Sequence, residues 1–190
     1  PTARQANLLR WWLRRRSLGT PSSHRLATIL DDLLTAGPDR APVVRWASGE
    51  VRRYRDRLYA MMPLGPAPPA DWRQPLVPGT PIELPCALGS LRLEAAAAGG
   101  FRLPPGAPPA TVRFRQGAEQ LRPAAQGRRR TLRNLYQHAG ILPWMRGRIP
   151  LVECEGRLLA VGDLWTEADA AAGPGEPGWR VAWRGGPDCR

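Results

Sequence analysis

Arginine is the residue type in this chain that can do chemistry in numbers, and its spacing is uneven. Arg113 and Arg115 sit two apart in a run that alternates polar and apolar residues. Arg128, Arg129 and Arg130 follow consecutively, with Arg133 one helical turn further on. Glu119 is the only carboxylate between Arg113 and Arg133. A guanidinium group is planar, permanently charged and matched to two phosphate oxygens at once, so an arginine cluster poor in acids points to phosphate recognition. Arg146 and Arg148 extend this set. A second group, Arg52, Arg53 and Arg55, has Glu50 and Asp56 beside it, so surface ion pairs compete there with phosphate. Trp144, between Pro143 and Met145, reads first as a packing anchor and second as a platform for a base. Trp11, Trp12 and Tyr136 fall on apolar helix faces and are assigned to cores. No set of residues with catalytic spacing is visible. His24 and His138 have no nucleophile or carboxylate at a recognised distance and read as structural. Asp31 and Asp32 read as an exposed helical pair. There is no glycine-rich phosphate loop, no metal-ligand spacing and no nucleophile elbow.

The elements that hold these arginines follow from hydrophobic period. After the basic run, Leu132, Leu135 and Tyr136 recur at i, i+3 and i+4 and predict a short helix, which Gly140 ends. If the Arg113 strand packs against the start of that helix, the arginines form one patch, with the positive end of the helix adding a small term for phosphate. A Leu-Pro-Trp turn follows, then a hairpin of Leu151–Cys154 and Leu158–Val161 about Glu155-Gly156. At the other end, Ala6–Arg16 predicts a helix with Leu8, Leu9, Trp11, Trp12 and Leu13 on a broad apolar side, stopped by Gly19. A second helix, capped by Thr20 or Ser22, carries Leu26, Ile29, Leu30, Leu33 and Leu34 and stops at Gly37-Pro38. Val43–Trp46 and Val51–Arg55 predict a hairpin, with its turn at Ser48-Gly49. Eight prolines from Pro63 to Pro85 disfavour helix and central strands. The predicted organisation is α+β: a helical domain with a hairpin over residues 1–62, a proline-rich linker over 63–69, and a β-rich domain over 70–190. Strand candidates in the last are Ile82–Leu84, Ser90–Glu94, Gly100–Leu103, Thr111–Arg115, Asp163–Thr166 and Gly178–Trp183.

Composition narrows the function classes. All 28 basic residues are Arg, against 16 acidic ones, for a net charge of +12 in 190 residues. Such an excess calls for a polyanion, and nucleic acid is the usual one. No apolar run is long enough to span a membrane and no signal peptide is present. Cys86, Cys154 and Cys189 cannot all pair within one chain and lack metal spacing, which fits a reducing cytoplasm. The start at Pro1-Thr2-Ala3, without Met, is expected of a fragment or a processed product. Residue patterns thus predict a basic module in two parts that binds RNA or DNA and carries no reaction centre of its own.

Two stretches carry a resemblance. NLLRWWLRRRSLGTPSSHRLATILDDLL followed by VVRWASGEVRRYRDRLY resembles the middle, substrate-binding domain of bacterial tRNA(Ile)-lysidine synthetases. VRFRQGAEQLRP followed by RRTLRNLYQHAGILPWMRGRIPLVECEGRLLAVGDLW resembles the C-terminal domain of that family. The likeness covers most of residues 4–60 and 112–166, with Arg where the family often has Lys; the family's N-terminal ATP-pyrophosphatase domain has no counterpart here. The resemblance implies a complete ATP-dependent ligase that uses ATP and Mg²⁺ to adenylate cytidine 34 of a minor isoleucine tRNA at C2. Free lysine then displaces AMP. It implies that the catalytic site and both cofactors belong to the missing domain, so this chain has no catalytic or metal-binding residues and is inactive alone. The parts present would hold the tRNA, the C-terminal domain contacting the acceptor stem through a layered α/β unit like one in the phenylalanyl-tRNA synthetase β-subunit. Two other classes stay open on the residues alone: a protein-interaction module made basic by genome composition, and a nucleic-acid-binding module of unrelated function.

Overall fold

The computed structural model describes residues 2–33, 35, 37, 42–125 and 127–189; Leu34 and Pro38 of the second predicted helix, and Pro1, lie outside them. The chain divides into two compact units, Pro1–Gly65 and Pro66–Arg190.

The first unit opens with α1 (Thr2–Arg15), rich in Leu, Ala, Gln and Arg, all good helix formers. It ends before Gly19, because Ser17 itself takes a left-handed conformation at φ 56°. Ser22 caps α2 (Ser23–Thr28), its Oγ accepting from the Arg25 amide at 3.4 Å. The helix widens into a π-helical turn over Ile29–Leu33. Then come β1 (Val43–Trp46), β2 (Gly49–Tyr54) and β3 (Arg57–Met61), an antiparallel meander in that order. The predicted strand Val51–Arg55 ends in a turn at Arg55 (φ 54°), where the charged run folds back so that Arg52 pairs with Tyr59. Leu9, Leu13, Leu26, Ile29, Leu33, Val44, Trp46 and Val51 build the core. Trp46 Nε1 donates to Leu18 O at 2.8 Å, which satisfies the one polar atom of a buried indole. The assignment of Trp11 to the core fails: it is 54% exposed, and Leu8, on the predicted apolar side of the same helix, is 63% exposed. Only Leu9 and Leu13, one turn apart, face inward completely. The apolar side of α1 is wider than the surface that the rest of the unit offers it.

The second unit is made of β4 (Arg73–Leu76), β5 (Ile82–Glu83), β6 (Ser90–Ala96), β7 (Ala110–Arg113), β8 (Gln120–Leu121), β9 (Arg130–Thr131), α3 (Leu132–His138), β10 (Leu151–Cys154), β11 (Arg157–Val161), β12 (Trp165–Thr166), a 3₁₀ turn over Ala168–Ala170, and β13 (Gly178–Arg184). Five strands form one antiparallel sheet in the order β12-β11-β10-β7-β4. A smaller sheet runs β13-β6-β5, and β8 pairs with β9. β4 contains Pro75 and lies at a sheet edge, the position where a missing amide donor costs least. The predicted strand Gly100–Leu103 is reduced to bridges made by Phe101, itself 1% exposed. Leu76, Leu91, Leu93, Phe101, Val112, Phe114 and Val152 are central to the core. The fold is mixed helix and sheet, as the sequence predicts.

Candidate nucleic-acid interface

Glu119 is the hub that joins the arginine strand to the helix start. Its carbonyl accepts the Leu132 amide at 2.9 Å, which seats α3 against the loop following β7. Its carboxylate accepts Arg113 Nη1 at 2.8 Å and the amides of Gln116 at 2.6 Å and Gly117 at 2.9 Å, with Arg115 Nε at 3.8 Å. Burial opposes ionisation of this carboxyl, but the Gln116 amide, the Arg113 guanidinium and the Gly117 amide outweigh it and hold the pKa down at about 2. Arg113 also gives Nε to Glu153 at 2.6 Å. Burial would lower the pKa of Arg113, yet hydrogen bonds to Glu153 and Glu119 raise it. Arg113 therefore has its charge balanced inside the protein, and Arg115 shares Glu119. The sequence hid this, because Glu153 is forty residues away and reaches Arg113 only through the β7–β10 pairing.

The basic run leads into β9 and α3. Arg128 and Arg133 are exposed and Arg130 is half-buried. None of the three makes an ion pair among the described residues. Arg129 differs: its Nη2 lies 3.3 Å from Glu167 and 3.8 Å from Asp169. Thr131 caps α3, its Oγ1 accepting the Asn134 amide at 3.3 Å. The Leu132 amide is given to Glu119 and the Asn134 amide to Thr131, so two of the first three amides of this seven-residue helix are already used. Arg157, which opens β11 and was not among the sequence candidates, lines a hollow of about 430 Å³ with Arg113, Glu119, Gln120, Arg129 and Glu167. Its signal was weak: a lone arginine after a Glu-Gly turn, brought beside the run only by the fold.

The remaining candidates serve the backbone or neighbouring acids. Arg146 Nε donates to Ile141 O at 3.0 Å, across the turn that follows α3. Arg148 is buried, with Nε on Trp144 O at 3.2 Å and Nη1 on Pro66 O at 2.7 Å. Trp144 is half-buried. It lies in the same turn region as Ile141, Leu142, Met145 and Ile149, each at most 3% exposed. In the first unit, fully buried Glu50 accepts Arg52 Nε at 2.6 Å and Arg45 Nε at 2.8 Å. Burial raises its pKa, and the two guanidinium groups more than reverse that. Arg53 Nη1 holds Leu33 O at 2.9 Å, and Arg55 lies over the Tyr54 ring at 5.2 Å. His24 and His138 are exposed, as are Asp31 and Asp32.

Residues 1–59 match the family described as TilS substrate binding domain, and residues 110–183 that described as TilS substrate C-terminal domain. The chain belongs to the tRNA(Ile)-lysidine synthase family. Among proteins named tRNA(Ile)-lysidine synthase, that of Methylococcus capsulatus is 34% identical over 187 residues, covering 94% of this chain and 41% of its own length. That of Alkalilimnicola ehrlichii is 38% identical, with 91% and 39% covered. That of Xylella fastidiosa strain Temecula1 is 42% identical, with 86% and 36% covered. The chain thus spans about two fifths of the length of the tRNA(Ile)-lysidine synthases it matches. A solved structure described as the crystal structure of the TILS C-terminal domain aligns with 60% of this chain and 97% of its own at a TM-score of 0.49 and 20% identity. Among the described residues no three His, Cys, Asp or Glu side chains come together to hold a metal ion. No helix among the described residues is long and apolar enough to cross a membrane.

Proposed function

We propose that this chain is the tRNA-binding part of a cytoplasmic tRNA(Ile)-lysidine synthase and that Arg128, Arg130 and Arg133 are its principal phosphate contacts, with Arg157 beside them. The observation that supports this is the division of labour among the arginines. Arg113, Arg115 and Arg129 sit beside carboxylates, whereas Arg128, Arg130 and Arg133, at the helix start that Glu119 holds, make no ion pair among the described residues. An A-form duplex such as an acceptor stem has a deep, narrow major groove that side chains do not read, so a protein meets it through phosphates and 2′-hydroxyls. The complete enzyme takes ATP, Mg²⁺ and free lysine to its own catalytic domain and modifies cytidine 34 of a minor isoleucine tRNA there. This chain by itself binds without reacting.

The test is tRNA binding over a salt series, for the parent and for Arg128→Ala/Arg130→Ala/Arg133→Ala. Every phosphate that the variant leaves without its arginine should flatten the slope of log affinity against log salt by roughly 0.7–0.9. The triple variant should therefore show a slope shallower by about two to three units. Its thermal stability should stay close to that of the parent, since Arg128 and Arg133 are exposed and half-buried Arg130 makes no ion pair among the described residues. The same samples should give no ATP–pyrophosphate exchange. A triple variant that binds like the parent at every salt concentration assigns these arginines to a solvated face and refutes the proposal.

A further inference from the structure

We propose that α1 carries a second RNA-contact surface, one for unpaired nucleotides, with Trp11 as the stacking platform and the arginines around it as the phosphate contacts; this rests on the tRNA reading above. Trp11 is the one exposed indole among the eight tryptophans of the chain. It stands on the face opposite Leu9 and Leu13, in the series Arg4, Leu8, Trp11, Arg15, whose spacing of four, three and four keeps all four on one side of a helix. The Arg15 guanidinium lies over the Trp11 ring at 5.3 Å and that of Arg16 over Trp12 at 5.5 Å. Both cations are thus held beside an aromatic surface. Next to them runs a groove of about 340 Å³ lined by Gln5, Leu8, Leu9, Trp11, Trp12 and Ile29.

Charge decides what fits here. α1 contains no Asp or Glu, and Arg4, Arg10, Arg14, Arg15 and Arg16 make no ion pair among the described residues. The groove itself is apolar, but Arg4 and Arg15 share the Trp11 face and Arg16 lies over Trp12, so a protein docked there would have to bring carboxylates for these guanidinium groups at its margin. An RNA strand brings a phosphate with every nucleotide and a flat, apolar base between phosphates. Bases within a duplex are stacked on one another and unavailable to an indole, so the surface selects looped or single-stranded segments.

The experiment uses the whole chain with two probes, a single-stranded RNA dodecamer and a blunt RNA duplex. Trp11→Ala should weaken binding of the dodecamer about tenfold, within the range for removal of one base–aromatic stack, without changing its salt slope. It should leave duplex binding and thermal melting as in the parent. Trp11→Phe should retain most of the affinity, and Arg15→Ala/Arg16→Ala should flatten the dodecamer slope by roughly 1.4 units. Equal dodecamer affinity for Trp11→Ala and parent, or an equal weakening on both probes, overturns the inference. So does a Trp11→Ala variant that changes only the sedimentation of the protein, which would make the groove a protein-docking face. The Arg128, Arg130 and Arg133 variant on the duplex reports separately on the tRNA reading, so the two can fail independently.

Discussion

At Glu119 one carboxylate gathers two arginines and two loop amides, while the carbonyl of the same residue holds the start of a helix. Its pKa of about 2 lies below the ordinary value of 4.5, so the folded state binds this proton more weakly than the unfolded chain does. The stabilisation is therefore complete above about pH 4.5 and is lost as pH falls toward 2. Glu119→Gln should cost roughly 2–3 kcal/mol at pH 7. The gap to the parent should close as acid protonates the native carboxyl. Urea melts at pH 7, 4.5 and 2.5 measure this, and a gap independent of pH would mean that shape rather than charge sets the role of Glu119. The distinction between neutralised and available arginines was only partly legible in the sequence. Acids adjacent in sequence, Glu50 and Asp56, warned of pairing in the first unit. Arg113 has Glu119 six residues away, but the other acids beside Arg113 and Arg129 are Glu153, Glu167 and Asp169, and no local pattern announces a contact across about forty residues.

Elements with a strong period were legible: α1, α3 and the β10–β11 hairpin stand close to where hydrophobic spacing placed them. Three kinds were not. β4 contains a proline that argues against a strand until its edge position is known. β3 follows so closely on the charged end of β2 that no separate strand stands out there. β8 and β9 have two residues each, too few for a period to register. The small sheet depends on close backbone approaches at glycines that the sequence presents as ordinary loop residues. Gly100 has φ 81°, and a Cβ there would stand 2.3 Å from Trp179 O. Gly100→Ala should therefore destabilise the second unit by roughly 2–4 kcal/mol through strain and a broken Phe101–Trp179 bridge. A thermal melt indistinguishable from that of the parent would show that the backbone gives way there freely.

At the scale of the molecule, the proline-rich stretch is not uniform. Pro66 accepts a hydrogen bond from Arg148, and Pro69 from the Trp72 amide, so its second half belongs to the second unit. We expect a broad-specificity protease to cut first near Met62–Gly65, where Met62 is 63% exposed, and to leave two stable pieces. A single resistant core would argue that the units fold as one. The second unit also has a fixed order of completion. β13 pairs along all seven residues with β6, eighty or more positions earlier, and the Leu142 amide donates to Cys189 O at 3.1 Å. During synthesis on the ribosome, β6 therefore emerges long before the strand that completes its sheet. The nascent second unit must wait with the Ser90–Ala96 edge open, while the first unit already has all its partners. A message cut short before the codon for Gly178 would release a chain with one finished half and one bare strand edge, the kind of surface on which chaperones and aggregation compete.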